Sequence, residues 1–171
     1  MSASNPNLRF AWVALGSNLG DSRQIILEAM TRLQDFSDAP ILKSSLWQTT
    51  PVDCPPDSPR FVNAVIGLQP RADETPESLL KKLRGFEVEF GRRPKKVLNE
   101  PRPLDLDLIA FDQEMRNVPE LILPHPRARE RKFVLQPLSE IAPQFILPGQ
   151  GKTVAELLVA LRSDEILVRL P

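Results

Sequence analysis

Residues 104 to 108 read Leu-Asp-Leu-Asp-Leu, an alternation of period two that only an extended strand sorts into one apolar and one acidic face. A helix would turn Leu106 away from Leu104 and Leu108. As a strand, the segment sends three leucines into a core and leaves Asp105 and Asp107 projecting side by side. Taken by itself, such a pentapeptide is a half-buried strand with a solvated acidic side. Electrostatics adds a condition: like charges ~7 Å apart repel by about 0.6 kcal/mol in water and about 2 kcal/mol at an effective dielectric of 20. A partly enclosed pair therefore calls for a cation.

The flanking residues supply the context. The loop Gly91 to Pro103 carries Arg92, Arg93, Lys95, Lys96 and Arg102 against one acid, Glu100, a local excess of positive charge that suits phosphate oxygens. Downstream, Leu123-Pro-His-Pro-Arg-Ala-Arg-Glu-Arg-Lys-Phe133 concentrates further donors around His125, the only histidine. Magnesium takes oxygen ligands and commonly bridges one or two carboxylates to substrate phosphates. Acid pair and basic loop together point to phosphoryl transfer from a nucleotide, with Asp105 and Asp107 as the metal-holding residues.

Around this strand the chain alternates elements. Leu8 to Leu15 is an apolar strand closed by turn chemistry at Gly16-Ser-Asn-Leu-Gly20. Ile25, Ile26, Ala29, Met30, Leu33 and Phe36 recur at helical spacing behind a capping Asp21 or Ser22. Ile41 to Gln48 reads as a strand, and Pro51, Pro55, Pro56 and Pro59 make residues 51 to 59 a stiffened loop. Phe61 to Leu68 is a strand, Thr75 to Phe90 a helix ended by Gly91, and Leu104 to Phe111 the fourth strand. Strand, helix, strand, strand, helix, strand is the ferredoxin-like βαββαβ arrangement, an α+β fold with an antiparallel sheet, helices on one face and C-terminal additions. Those additions are short helical pieces over residues 127 to 141 and a last helix opened by the capping box Thr153-Val-Ala-Glu156 and running to about Leu161. The whole, residues 1 to 171 with a core of about 8 to 162, is expected to be one domain.

Composition removes several alternatives. Lys plus Arg and Asp plus Glu each number 22, which offers no general attraction for nucleic acid or an anionic membrane. No apolar run is long enough for a membrane span, and Met1 to Asn7 lacks signal-peptide character, so a cytoplasmic monomer is expected. Cys54 is the only cysteine, excluding an internal disulfide and any multi-cysteine zinc site. Gly149-Gln-Gly-Lys-Thr153 imitates the end of a P-loop, but Ile146 stands where its first glycine belongs. A ferredoxin-like RNA-binding module would need a general basic face, and balanced charge and an acidic strand argue against one.

In order, Gly16-Ser-Asn-Leu-Gly20, Thr50-Pro51, Phe61-Val-Asn-Ala-Val65, Gly91-Arg92, Pro101-Arg-Pro-Leu-Asp-Leu-Asp107, Pro124-His-Pro-Arg127 and Arg131-Lys-Phe-Val-Leu-Gln-Pro-Leu138 resemble the 6-hydroxymethyl-7,8-dihydropterin pyrophosphokinase family. The resemblance spans about residues 10 to 160. It implies transfer of an intact diphosphate from Mg-ATP to the hydroxymethyl group of the pterin, a step of folate biosynthesis that releases AMP. It further implies that Asp105 and Asp107 hold two magnesium ions, that Arg92 and Arg102 contact phosphates, and that His125 and Arg131 hold ATP. Phe61 and Phe133 would sandwich the pterin, Asn63 and Asp105 would bind its polar edge, and Thr50, Val52 and Cys54 would close the pocket. Pro94, Asn99-Glu100 and Cys54 depart from the family pattern, so altered loop closure is expected. A pterin- or nucleotide-binding regulator without turnover is the remaining rival.

Overall fold

The computed structural model describes residues 8–51 and 54–171. Its centre is β1 (Ala11–Ser17), all seven residues of which are buried because it has a neighbour on each edge and a layer on each face. The other strands are β2 (Leu42–Lys43), β3 (Trp47–Thr49), β4 (Phe61–Leu68), β5 (Asp105–Phe111), β6 (Arg116–Val118), β7 (Leu121–Leu123) and β8 (Leu167–Arg169). The main sheet runs β5-β1-β4-β3-β8, with β2 also on β4, and every pairing is antiparallel. The expected strand over Ile41 to Gln48 is split in two, and between the pieces the Ser44 hydroxyl accepts from the Val65 amide at 2.9 Å. A hydroxyl thus replaces a ladder carbonyl. The hairpin β6–β7 forms a separate two-stranded sheet.

Helix α1 (Ser22–Leu33) starts where the Asp21 carboxylate accepts from the Gln24 amide, and it buries Ile26, Ala29, Met30 and Leu33. That spacing of three, four and seven is one face of a helix. Helix α2 (Pro76–Glu89) opens with a reciprocal Thr75–Ser78 capping box and Pro76 in its first turn, and it ends before Gly91, whose φ is +95°. Leu79, Leu83 and Phe86 of α2 join α1 against the sheet face carrying Val13, Leu15, Ala64, Ile66, Leu104, Leu106 and Leu108. The leucines of the alternating segment are core, as their period requires.

The opposite face is covered as well, which helices on one face alone do not describe. Helix α3 (Lys132–Ile141) and helix α4 (Val154–Ala160) pack Val134, Leu135, Leu138 and Val154 against Trp12, Ala14, Val65, Ile109 and Ala110. A β-bulge explains the two adjacent β5 residues on this side: Val13 pairs Leu108 while Trp12 pairs Ala110, leaving Ile109 extra. The molecule is thus a mixed α/β fold, an antiparallel sheet between two helical layers.

The register grades this second face from apolar to polar. Gly67, Trp12 and Ala110 form one row, Val65, Ala14 and Asp107 the next, and Asn63, Gly16 and Asp105 the third. The α3–α4 layer covers the apolar rows and leaves the polar end open. The first row is tight: a Cβ on Gly67 would lie 2.4 Å from an indole carbon of Trp12. Gly67→Ala should therefore lower unfolding free energy by about 2 kcal/mol, read from urea denaturation. An unchanged midpoint would mean that the Trp12 layer yields without cost.

Candidate active site

Because side chains alternate along a strand, the third row places Asn63, Gly16 and Asp105 on one face, with Asp107 one row deeper and Phe61 and Thr49 beyond Asn63. Gly16 makes the row possible, since a Cβ there would stand 2.9 Å from Asn63 Oδ1 and 3.6 Å from the Phe61 ring. Asn63 is buried and donates to the Thr49 hydroxyl at 2.6 Å. Its side-chain oxygen faces Gly16, beside the open end of the sheet.

Two hollows meet over this row. One, of about 350 Å³, is lined by Thr49, Thr50, Cys54, Phe61, Asn63 and Phe133 together with Asp105, Asp107, Arg102 and Arg131. The other, about 630 Å³ and wider, is lined by Arg84, Arg92, Arg93, Lys95 and His125 and by the same Asp105, Asp107, Arg102 and Arg131. Every described residue expected to act thus falls in one hollow or the other, and two acids and two arginines belong to both. Val52 lies outside the described residues. Arg127 and Glu130, which motif reading left aside, also line the smaller hollow.

The acids are not equivalent. Arg92 Nη1 reaches Asp105 Oδ1 at 2.6 Å and Arg102 Nη2 reaches Asp105 Oδ2 at 3.4 Å. Burial opposes the Asp105 charge, but the guanidinium groups of Arg102 and Arg92 prevail and hold its carboxyl below the usual range. Asp107 receives neither arginine among the described residues. Burial first, and the Asp105 charge second, push its carboxyl up to about 6. Asp105 is thus the charged, arginine-paired member, and Asp107 the one that keeps its proton more readily.

Behind the pair stands Glu87, a carboxylate buried on α2. It contacts both Arg84 and Arg92, and its Oε2 also accepts from the Leu106 amide at 3.2 Å. Arg84 in turn donates to the Leu106 carbonyl at 2.9 Å. Sequence reading passed over Glu87, although a signal existed: it shares the buried helical register of Leu79, Leu83 and Phe86, where a lone acid needs a partner. Asn18, in the turn after β1, is buried: its side chain accepts from the Arg102 amide at 2.9 Å and donates to the Pro59 carbonyl at 3.3 Å, joining the basic loop to the proline-rich one.

The aromatic rings carry cations: the Arg102 guanidinium lies 5.2 Å from the Phe61 centroid and that of Arg131 5.4 Å from the Phe133 centroid. The His125 amide donates to the Ile109 carbonyl at 2.8 Å, fastening the post-β7 segment to β5. Its Nδ1 accepts from the Arg127 amide at 3.2 Å, so the neutral ring carries its proton on Nε2. As a test of metal fit, no group of three or more His, Cys, Asp or Glu side chains among the described residues could hold a metal ion. Two carboxylates beside an arginine-lined hollow suit magnesium, which takes oxygen ligands and keeps several waters.

The chain matches the family described as 7,8-dihydro-6-hydroxymethylpterin-pyrophosphokinase (HPPK) over residues 12–143. It is 37% identical over 161 residues to the 2-amino-4-hydroxy-6-hydroxymethyldihydropteridine pyrophosphokinase of Pseudomonas aeruginosa, covering 94% of this chain and 96% of that one. It is 36% identical over 162 residues to the folic acid synthesis protein fol1 of Pneumocystis carinii, covering 94% of this chain but only 21% of the relative. The fold is similar to that of Plasmodium falciparum HPPK-DHPS, wild type with SDX-DHP, at a TM-score of 0.70 and 14% identity, over 89% of this chain and 44% of that one. The chain therefore spans about a fifth of the fungal relative and under half of the plasmodial one.

Burial, then the charges of Arg131 and Arg127, lower the His125 pKa to about 4. Because this is the only histidine, its ring protons should titrate alone in a proton NMR spectrum. The midpoint should fall near 4, and a midpoint at the ordinary imidazole value of 6.5 would contradict the enclosed, arginine-flanked placement. The sign for stability follows: His125 weakens the fold as pH falls from 6.5 towards 4, where only the unfolded chain takes up the proton.

Proposed function

The chain belongs to the 7,8-dihydro-6-hydroxymethylpterin-pyrophosphokinase family, and from that premise we propose that the two hollows are the acceptor and donor halves of one diphosphate-transfer site. The enzyme is an ATP-dependent pyrophosphokinase of folate biosynthesis. It moves diphosphate from ATP to 6-hydroxymethyl-7,8-dihydropterin and releases AMP. The observation that carries the site assignment is the shared floor: Asp105, Asp107, Arg102 and Arg131 line both hollows, where a group passing between them must cross.

In the smaller hollow Phe61 and Phe133 sandwich the pterin, which takes the place that the Arg102 and Arg131 guanidinium groups hold over those rings. Asn63 hydrogen-bonds the polar edge of the heterocycle, while Thr50 and Cys54 close the rim. Asp105 orients the hydroxymethyl side. In the wider hollow Arg92, Arg102 and Arg131 clamp phosphate oxygens, and the neutral His125 ring donates a hydrogen bond from Nε2–H to ATP. Asp105 and Asp107 hold two magnesium ions. When bound, these neutralise the phosphate oxygens and align the chain of phosphates.

The pterin hydroxyl oxygen attacks the β-phosphorus in line, the bond from that phosphorus to the α-phosphate bridging oxygen breaks, and AMP leaves with the electron pair. The hydroxyl proton passes to water. Arg92 and Arg102 must leave Asp105 to reach the phosphates, so arrival of the nucleotide and release of the carboxylate are one exchange. The strand order β5-β1-β4-β3 with α1 and α2 on one face supports reading residues 1 to 171 as a single ferredoxin-like βαββαβ domain with additions. No helix among the described residues is long and apolar enough to cross a membrane, and a monomer in the cytoplasm is part of the same proposal.

With Mg-ATP and 6-hydroxymethyl-7,8-dihydropterin, the wild-type chain should release AMP, one per pterin consumed. ADP in its place would identify a monophosphate kinase, and binding without either nucleotide product would favour the regulator. Asp107→Ala should lower turnover about a thousand-fold while its thermal midpoint stays within a few degrees of wild type. AMP release near the wild-type rate by that variant would sink the metal assignment.

A further inference from the structure

Helix α3 carries Phe133 one residue past its start and follows directly on Arg131, so the first turn of α3 is a wall of the smaller hollow. That turn is not capped from within: Arg131 occupies the N-cap position and makes no side-chain cap hydrogen bond. An uncapped helix start leaves amide donors unmet and loosens the turn. Here the missing acceptor comes from far along the chain. Glu165 Oε2 accepts from the Lys132 amide at 2.9 Å. The carboxylate is fixed in turn by Ser163, whose hydroxyl donates to Oε2 at 2.8 Å and accepts from the Glu165 amide at 3.1 Å. A negative charge at this end of a helix is also favoured by the helix dipole.

Glu165 Oε1 is buried and has no partner among the described residues. A carboxylate that keeps one oxygen dry in order to place the other on α3 is not a casual surface contact. The same short segment continues into β8, where Leu167 pairs Thr49 and the Leu170 amide donates to the Leu46 carbonyl at 2.9 Å. Thr49 holds Asn63. Three residues of the C-terminal segment therefore join the two walls of one hollow, Phe133 on one side and the Thr49–Asn63 pair on the other. This segment lies beyond residue 143, where the family match ends.

We propose that Glu165 is a positioning residue of the pterin site, acting as a remote cap that sets the first turn of α3, and with it Phe133, at a fixed spacing from Phe61 and Asn63. The inference rests on reading the smaller hollow as the pterin pocket. Through Lys132 it touches backbone, not substrate, so its effect should fall on pterin affinity and spare the chemical step.

The full chain as Glu165→Ala should show a pterin KM raised about five- to ten-fold, the scale of a lost cap, with kcat and the ATP KM within about two-fold of wild type. Glu165→Gln keeps an acceptor oxygen and should recover most of the loss. Thr153→Ala, which removes the cap of α4, serves as the control: it should lower the thermal midpoint without moving the pterin KM. An unaltered pterin KM in Glu165→Ala, or a joint decline of kcat and both affinities, overturns the proposal. If Glu165→Ala does not fold, Ser163→Ala takes its place, with the same direction expected and an unaltered pterin KM again decisive against it. Amide hydrogen exchange at Lys132 and Phe133 without substrate separates the two readings. Faster exchange in Glu165→Ala supports the cap even if the wild-type chain turns over no pterin, which would sink the pocket assignment alone. Unchanged exchange overturns the cap.

Discussion

Two like charges fixed on adjacent same-face positions of one strand organise most of what surrounds them. Burial of Leu104, Leu106 and Leu108 on the opposite face commits Asp105 and Asp107 to their side, since a shift of one residue would exchange acids for leucines. Their repulsion is met by a chain of charges rather than one counter-ion: Arg102 and Arg92 on Asp105, Glu87 on Arg92, and Arg84 on Glu87. Removing Arg92 would leave the buried Glu87 carboxylate without one of its two arginine partners, the kind of uncompensated buried charge that costs a few kcal/mol. The network also spans three segments, α2, the basic loop and β5, so the electrostatics of the pair fix where the loop begins.

The site is open because the second helical layer is short. α3 and α4 bury the Trp12, Val65 and Ala110 end of the sheet face, while the Asn63, Gly16 and Asp105 row lies past their reach. Phe61, Asn63, Asp105 and Asp107 therefore sit on strands, whose positions the core determines, while Arg92 and Arg102 sit on the basic loop and His125 on the segment after β7. Asn18 links that loop to the proline-rich one through Arg102 and Pro59, so the two are coupled before any substrate arrives. In this setting the Arg102 guanidinium serves three partners, the Phe61 ring, Asp105 and the Glu100 carbonyl.

What could be read without the structure follows the range of each signal. The period of two at residues 104 to 108, the 61–68 strand and the caps at Asp21, Thr75 and Thr153 are local, and the fold places them as local physics says. The segments β6, β7 and β8, three residues each, are too short for a periodic signature and depend on partners that only the tertiary structure supplies. The split of the second strand at Ser44 is of the same kind. His125 and Arg131 were legible as phosphate donors from their basic segment, whereas Phe133 could be given a role only through family resemblance, since an apolar ring is an ordinary residue by itself. Glu87 was legible as an acid in an apolar helical register, and Glu165 was not, because its partner is a backbone amide 33 residues earlier in the chain.

In the proposed reaction Asp105 and Asp107 become a metal-binding centre only together with a nucleotide that draws Arg92 and Arg102 away. Manganese, a spectroscopically visible substitute for magnesium, tests it by electron paramagnetic resonance. Titrated into the wild-type chain with a non-hydrolysable ATP analogue, manganese should show two bound ions per chain, and the Asp105→Asn, Asp107→Asn double variant should retain no more than the free nucleotide binds. Equal manganese binding by the wild-type chain and the double variant would contradict the account.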